Sequence, residues 1–190
     1  ELRHMLCTAL EHGAPIAFRY PRGNGMGIAR EPVRRLEIGR AEILREGGDG
    51  AILALGSMVY PALEAAVRLA QEGLALTVIN ARFLKPLDEE LIACLAAEKP
   101  FLVTAEEGTL AGGFGALVAA FVQDRRIPVS LLRIGVPDRI IPHGSPALLH
   151  AKYGLDSDGI AERIRDFAQH RQHGPQVAAR PIGRAARPRP

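Results

Sequence analysis

Two arginines near the start of the chain are the residues whose possible chemistry is easiest to name. Arg19 and Arg22 flank Tyr20 and Pro21, directly after a short apolar run, and glycines follow them. A guanidinium group binds a phosphate or a carboxylate through two parallel hydrogen bonds. In an open α/β sheet, ligands bind beyond the carboxyl ends of the strands. The pattern therefore indicates an anion site at a strand end, and a solvated polar turn is the alternative.

A possible metal pair is formed by Asp49, in a Gly-Asp-Gly sequence, and Asn80. Enzymes that use thiamine diphosphate carry such a pair at about this spacing, and its oxygens bind the divalent ion that holds the diphosphate. There, the aspartate follows a strand and leads into a helix. Here it precedes the apolar run at residues 51–55, as in a turn between two strands. The order favours a turn, with metal binding as the alternative.

Other candidate groups lie near the ends of later predicted strands. Glu106 and Glu107 end one strand and precede Ala-Gly-Gly-Phe-Gly at residues 111–115. The glycines would allow a helix N-terminus to approach a ligand or partner closely. Close packing of helix on sheet, with solvated carboxylates, is the alternative. His143 lies in a polar loop after the last predicted strand, where it is a possible acid or base or a merely structural or exposed residue.

The composition is that of a globular protein with a basic tail. Of 190 residues, 47% are hydrophobic and 24% are charged, and no apolar run predicts a membrane span. The net charge of +3 reflects four arginines in the last eleven residues, and only 5% of residues are aromatic, so we expect no nucleic-acid partner. Cys7 and Cys94 predict reduced thiols in a cytoplasmic protein, with a disulfide as the alternative.

Strands that alternate with helices predict an α/β fold with a mainly parallel sheet flanked by helices. The spacing predicts strands over residues 15–20, 41–45, 51–55, 74–79, 101–104 and 129–134. It predicts helices over residues 2–12, 112–122, 147–153 and 160–170, and two more that Ser57 and Asp88 cap. The apolar faces of two of these helices are predicted from Leu2, Met5, Leu6, Ala9 and Leu10, and from Leu63, Ala66, Val67 and Ala70.

The chain divides into three regions. Residues 1–36 hold a helix, a strand and a glycine-containing linker, which are too few to bury a core of their own. Residues 37–171 form the complete α/β domain. Residues 172–190 form an Arg/Pro-rich tail that we expect to be disordered. Because the chain begins at Glu1 rather than at Met, we expect a fragment whose first region ends a truncated domain.

Seven short motifs occur in an order that closely resembles the carboxy-terminal part of the 1-deoxy-D-xylulose-5-phosphate synthase family, which is transketolase-like. The first is Arg-Tyr-Pro-Arg-Gly-Asn at residues 19–24, and the others lie at residues 56–58, 80–88, 103–107, 111–115, 135–138 and 143–145. The resemblance covers about residues 1–168. Arg-x-x-Lys-Pro-x-Asp resembles transketolase-like C-terminal domains broadly, whereas the ordered set is specific to the synthase family.

The resemblance implies a transferase, dependent on thiamine diphosphate and Mg²⁺, that condenses pyruvate with D-glyceraldehyde 3-phosphate and releases carbon dioxide. Its product would feed isoprenoid, thiamine and pyridoxal synthesis, and the enzyme would be a cytoplasmic homodimer. The fold would be that of a transketolase C-terminal domain, preceded by the last helix and strand of a truncated pyrimidine-binding domain. Arg22 matches the arginine that binds the substrate phosphate in the family, and Arg19 is the second candidate.

The resemblance also implies what this chain lacks. The family's cofactor-binding, metal-binding and catalytic residues lie upstream of the matched region, so we expect none here and an inactive fragment. Pro142 stands where the family often has an acidic residue, and the Arg/Pro tail has no counterpart. The alternatives are the C-terminal region of another transketolase-like protein or 2-oxoacid dehydrogenase β subunit, and a non-catalytic dimerisation module.

Overall fold

The computed structural model describes residues 1–21, 27 and 31–172. Within these ranges the chain alternates between strands and helices, as the sequence predicts. The elements in chain order are α1 (Leu2–Glu11), β1 (Glu42–Arg45), β2 (Gly50–Ala54), α2 (Val59–Gln71), β3 (Leu76–Asn80), α3 (Glu89–Glu98), β4 (Phe101–Thr109), α4 (Phe114–Asp124), β5 (Ser130–Val136), α5 (Pro146–Tyr153) and α6 (Ser157–Gln172).

The strands form one sheet in the order β1-β3-β2-β4-β5. Strands β3, β2, β4 and β5 are parallel, and β1 pairs antiparallel with β3 at one edge. The prediction of a mainly parallel sheet is therefore confirmed. From β2 the chain passes to β3 on one side, and β4 then lies on the other side of β2. This reversal of direction places a topological switch point between the carboxyl ends of β2 and β4.

Helices cover both faces of the sheet and give three layers. One core includes Ile52 from β2 with residues of α2 and α6, and the other includes Leu53 from β2 with residues of α3 and α4. Every residue of β2 and β3 is buried, as expected for parallel strands that are covered on both faces. This double burial explains why the sequence shows these strands as continuous apolar runs.

The buried face of α2 differs from the predicted one. Val67 is exposed, Leu63 and Ala70 are half-buried, and Ala66 alone of the predicted set is fully buried. The residues that face the core are instead Val59, Ala62, Ala65, Ala66 and Leu69. Alanines on this face allow the helix axis to lie close to the sheet, so small side chains occupy the contact and larger ones lie at its margin.

The two predicted helix caps have different outcomes. Ser57 makes no side-chain cap bond, because a 3₁₀ turn over Gly56–Met58 leads into α2 and Met58 is the N-cap residue. Asp88 caps α3 as predicted: its carboxylate accepts from the backbone N–H of Leu91 at 3.1 Å. The same carboxylate also accepts from the N–H of Ala41 at 2.9 Å. Asp88 therefore links the start of α3 to the chain segment that enters β1.

The N-terminal region forms the predicted helix, but the opposite face of that helix is buried. His4 and Thr8 are buried, whereas Leu2, Leu6 and Leu10 are exposed. The N–H of Leu36 donates to the Thr8 hydroxyl at 2.8 Å, and the N–H of Arg34 donates to His4 Nδ1 at 3.1 Å. Helix α1 therefore binds the chain at residues 34–36 through its polar face.

The strand predicted over residues 15–20 is not formed. These residues have no regular secondary structure, and no strand of the described chain lies beside them to pair with. A strand requires a hydrogen-bonding partner, whatever its own residues favour. Of the predicted tail, Gln172 ends α6 and residues 173–190 lie outside the described residues.

Cys7 and Cys94 are free thiols, as predicted, and each lies four residues before a glutamate on its helix. Hydrogen bonding to Glu11 raises the pKa of the Cys7 thiol, and hydrogen bonding to Glu98 raises that of Cys94. None of the described helices is both long enough and apolar enough to cross a membrane.

Candidate functional site

The carboxyl ends of the parallel strands meet at one edge of the sheet, and the switch point lies in its middle. There the backbone of β2 continues alongside β4, because the N–H of Leu55 donates to the carbonyl of Ala105 at 2.9 Å. Gly56 then turns the chain away with a φ of +63°. Glu106 and Glu107 follow Ala105 directly. Both predicted carboxylates therefore lie where an open α/β sheet binds its ligands.

Glu106 caps helix α4 from inside the protein. Its side chain is 3% exposed, and its two carboxylate oxygens accept from the backbone N–H groups of Phe114 and Gly115, both at 2.8 Å. A Cβ on Gly113 would lie 2.3 Å from Glu106 Oε2, and one on Gly108 would lie 2.5 Å from it. The glycines therefore make room for a carboxylate of the chain itself.

This arrangement corrects both interpretations of Glu106. The alternative was close packing of the helix on the sheet with solvated carboxylates. Because the Glu106 carboxylate is buried, the prediction that it is solvated is wrong. The positive end of α4 already has an internal anion, which occupies the N–H groups that an external anion would need. The glycine-rich segment thus leaves room for the Glu106 carboxylate, which holds the N-terminus of α4 against the sheet.

Glu107 lies on the other side of the strand from Glu106, because successive side chains of a strand alternate. Its Oε1 is 2.9 Å from Nε2 of His150, which lies in the last turn of α5. Its Oε2 is 4.0 Å from Nη2 of Arg19. The carboxylate is partly exposed, so it faces the open carboxyl edge. Sequence reasoning missed His150, whose only signal is its place on a short helix after the last strand.

The predicted phosphate-binding residues are only partly described. Arg19 is 81% exposed and lies at the carboxyl edge, next to Glu107. Arg22 lies outside the described residues, so its role stays a prediction. His143 is exposed in the loop that follows β5. Its possible acid–base role also stays a prediction.

Arg82 is a further residue of this edge; it begins the Arg-x-x-Lys-Pro-x-Asp motif, but sequence reasoning gave it no role of its own. It follows β3 in a left-handed conformation with a φ of +55°, and its N–H donates to the Asn80 side chain at 3.2 Å. Its guanidinium is 9% exposed, pairs with Glu1 at 2.7 Å and forms a second ion pair with Glu42. The side chains of Asn80, Glu1 and Glu42 thus hold Arg82, whose backbone conformation is uncommon for a residue other than glycine.

Among the described residues, three ion pairs connect residues 1–36 to the α/β domain, and we call these three pairs the polar seam. They are Arg82 with Glu1, Arg34 with Glu42, and Arg19 with Glu107. In two of them the charged groups are 4.0 Å apart. These two pairs are partly exposed, and such pairs contribute little energy, about 0–1 kcal/mol each. The seam therefore orients the N-terminal region more than it stabilises it.

Asp49 and Asn80 cannot bind one metal ion. Gly50 pairs with Leu76 in parallel register, so Asp49 lies at the amino end of the sheet, whereas Asn80 ends β3. Four residues of strand separate these ends by about 13 Å. Asp49 also accepts from the N–H of Ala75 at 2.7 Å, as a turn residue does. The turn interpretation is correct and the metal alternative is wrong.

The divalent ion that the resemblance implies would need several oxygen ligands close together. Within residues 1–21, 27 and 31–172, no group of three or more His, Cys, Asp or Glu side chains could hold a metal ion. The Asp49–Asn80 pair is divided between opposite edges, as shown above. Which residues hold the cofactor and its ion therefore stays a prediction for this chain.

Known proteins agree with this architecture. The family of the transketolase C-terminal domain matches residues 39–160. The chain is 52% identical over 169 residues to 1-deoxy-D-xylulose-5-phosphate synthase 1 of Geobacter metallireducens. The aligned segment covers 88% of the chain and 27% of that protein. It is 52% identical over 170 residues to 1-deoxy-D-xylulose-5-phosphate synthase of Thermomicrobium roseum, covering 88% of the chain and 27% of that protein.

Solved structures show the same fold. A protein described as a split gene transketolase, inactive beta4 tetramer, is 34% identical with a TM-score of 0.65, covering 79% of this chain and 46% of its own. A transketolase from Campylobacter jejuni is 19% identical with a TM-score of 0.53, covering 72% of this chain and 20% of its own, and supports the fold alone.

The match to the domain family includes every strand of the sheet, from β1 to β5. The chain spans about a quarter of the length of the curated synthases that it matches. It belongs to the transketolase C-terminal domain family, and it matches 1-deoxy-D-xylulose-5-phosphate synthases at about 50% identity.

Proposed function

We propose that this chain serves as the C-terminal part of a 1-deoxy-D-xylulose-5-phosphate synthase. The observation that carries the proposal is the extent of the likeness. The 52% identity runs over 169 residues, whereas the transketolase C-terminal domain itself occupies residues 39–160. The likeness therefore extends beyond the shared domain into the flanking sequence. It supports the synthase more than another member of the domain family.

In this proposal the whole enzyme condenses pyruvate with D-glyceraldehyde 3-phosphate and releases carbon dioxide. It is a cytoplasmic homodimeric transferase whose product is a precursor of isoprenoids, thiamine and pyridoxal. In the same proposal, thiamine diphosphate and Mg²⁺ are held by residues outside this chain. By itself the chain is inactive.

The contribution of this chain is recognition of the aldehyde phosphate. Arg22 and Arg19 are the proposed phosphate-binding residues, and the described position of Arg19 at the carboxyl edge supports this role. A charge-assisted contact from Arg22 would contribute about 1.5–3 kcal/mol to binding. No proton transfer or bond-breaking step is assigned to the described residues.

Residues 1–36 are proposed to be the last part of a pyrimidine-binding domain. The exposed leucines of α1 and the unpaired segment at residues 15–20 support this, because both lack the neighbours that such elements require. Residues 37–171 are the C-terminal domain. The predicted tail begins at Gln172, which ends α6, and residues 173–190 lie outside the described residues.

The test is a chimera in which this chain replaces the matching part of the Geobacter metallireducens synthase. We expect the chimera to form the synthase product with both substrates. Arg22→Ala should raise the KM for D-glyceraldehyde 3-phosphate about ten- to a hundredfold, because it removes a contact of about 1.5–3 kcal/mol.

The control is Arg125→Ala, which removes an exposed arginine that pairs with Glu89. It should leave this KM unchanged. An unchanged KM in the Arg22 variant would sink the phosphate-binding assignment, and an inactive but folded chimera would contradict the synthase proposal.

A second candidate is a separate subunit of a related thiamine enzyme, or a non-catalytic assembly module of the same fold. The 34% identity to a split gene transketolase described as an inactive beta4 tetramer favours it. A stable oligomer of this chain that restores activity only when mixed with a separate cofactor-binding chain would support this candidate.

A further inference from the structure

We propose that Glu107 is a positioning residue that holds Arg19 toward the substrate phosphate, and that His150 fixes the Glu107 carboxylate for this task. The inference rests on the proposed function, because it assumes a phosphate-bearing substrate at the carboxyl edge. It assigns roles to two residues that the motifs of the chain leave unexplained.

The first step is that the backbone at Glu107 is rigid. The preceding residue, Glu106, is buried with both carboxylate oxygens bound to N–H groups of α4. On the other side, Gly108 has no room for a side chain, because a Cβ would lie 2.5 Å from Glu106 Oε2. Glu107 therefore extends from a fixed point at the end of β4.

The second step is that the two oxygens of Glu107 have different partners. A carboxylate only accepts, so His150 must donate its Nε2 proton across the 2.9 Å contact. That bond fixes one oxygen and leaves the other directed at Arg19, 4.0 Å away. His150 is itself held near the end of α5, which Ser145 caps and Gly154 ends in a left-handed conformation.

The third step concerns charge. An unpaired carboxylate at this edge would repel a phosphate, but Glu107 lies between a histidine donor and an arginine. Arg19 has five N–H donors and approaches Glu107 through Nη2, so other donors stay free for a phosphate oxygen. Being highly exposed, the Arg19 side chain would otherwise sample many rotamers. A nearby fixed carboxylate restricts these to the ones that face the edge.

The experiment uses the active chimera and the variant Glu107→Gln, which keeps the size of the side chain and removes its charge. We expect the KM for D-glyceraldehyde 3-phosphate to rise about two- to fivefold, the range for an exposed ion pair. The KM for pyruvate and the melting temperature should not change. Glu64→Gln, an exposed glutamate on α2, is the matched control and should change none of these values.

A double-mutant cycle with Arg19→Ala separates positioning from simple structural support. If Glu107 acts through Arg19, Glu107→Gln should have no further effect on this KM once Arg19 is alanine. His150→Ala should raise the same KM, and His150→Arg, which can still donate to the carboxylate, should restore it. His170→Ala, at the exposed end of α6, is the control for the histidine.

Several outcomes would overturn the inference. A fall in KM on Glu107→Gln would mean that the carboxylate repels the phosphate. Independent, additive effects of Glu107 and Arg19 would also reject positioning. So would a lower melting temperature together with a rise in the KM values for both substrates. If Arg22→Ala raises the KM but Glu107→Gln does not, the inference alone fails. If Arg22→Ala has no effect, the phosphate-binding assignment of the proposed function fails, whatever Glu107 shows.

Discussion

Helix α1 buries the polar residues His4 and Thr8, whereas strand β2, in the centre of the sheet, buries apolar residues on both of its faces. The N-terminal region thus contacts the rest of the chain through hydrogen bonds and the polar seam, and exposes its leucines. The α/β domain does the reverse: its core is mainly apolar, and most of its described ion pairs lie at the surface. This difference supports the proposal that residues 1–36 are the last part of a larger domain.

This contrast matters for function because the proposed phosphate-binding arginines belong to residues 1–36, whose described part exposes several leucines. Burial of apolar surface fixes the domain, at about 25 cal/mol per Å². Hydrogen bonds of His4 and Thr8 and the polar seam hold the N-terminal region, and they contribute less. The site at the carboxyl edge therefore combines a rigid wall, formed by the domain, with a segment whose position depends on weak contacts.

The largest expected difference between the regions comes from the same substitution made in each. Leu53→Ala in β2 removes a side chain that is 1% exposed, and should lower the free energy of unfolding by about 2–5 kcal/mol. Leu10→Ala in α1, where the leucine is 78% exposed, should change it by about 0.5 kcal/mol or less. Urea unfolding of this chain measures both. Equal losses would show that α1 is packed as well as the sheet.

Removal of the internal cap should also be costly, although it concerns a polar group of the domain. Glu106→Ala leaves the buried N–H groups of Phe114 and Gly115 without their acceptor, and should destabilise the chain by about 2–4 kcal/mol in urea unfolding. The neighbouring Glu107→Ala should cost less than about 1 kcal/mol, because that carboxylate is partly exposed. Similar losses for both would mean that Glu106 has no special structural role.

A smaller and local effect is expected from Thr8→Val in the N-terminal region. The valine removes the hydroxyl that accepts from the N–H of Leu36, at a cost of about 1–2 kcal/mol. Because few other contacts hold this region, the loss should free residues 34–36 without unfolding the domain. Faster trypsin cleavage at Arg34 and Arg35, with an unchanged melting temperature of the domain, would show this. Global destabilisation would show instead that the two regions unfold together.

The smallest effect is expected from a surface ion pair of the domain. Hydrogen bonds from Arg165 lower the pKa of Glu72, so the pair stabilises the fold above the ordinary glutamate pKa of about 4.3 and loses this effect as pH falls through the lowered value. Glu72→Gln should slightly flatten the pH dependence of the unfolding free energy in that acid range. A large change would contradict the view that surface ion pairs matter little to this domain.

The fold could be predicted because parallel strands buried on both faces leave a simple pattern. Apolar runs bounded by glycine locate β2, and the alternation with helices fixes the sheet type. The face of α2 could not be predicted by ranking hydrophobicity, since close packing selects Ala62 and Ala65 over larger residues. The prediction of a strand at residues 15–20 was wrong because a strand needs a neighbouring strand to pair with, and no local sequence pattern reveals that neighbour.

The site could be predicted only in outline. The sequence singles out Glu106 and Glu107 as a pair, yet strand alternation separates them into an internal cap and an edge carboxylate. The pairing of Glu107 with His150 joins residues that are 43 positions apart, so it depends on where α5 lies after the last strand. The ion pairs of Arg82 could not be predicted for the same reason, since its partners, Glu1 and Glu42, come from distant segments of the chain.

The buried Glu106 carboxylate also determines how this part of the protein can open. If α4 moved away from the sheet, the carboxylate would lose both of its donors inside the protein, and a buried charge without partners is costly. Helix α4 and the end of β4 should therefore open as a single cooperative unit or not at all. Fluctuations at the carboxyl edge would then come from the N-terminal region and the loop after β5, while the wall between them stays closed.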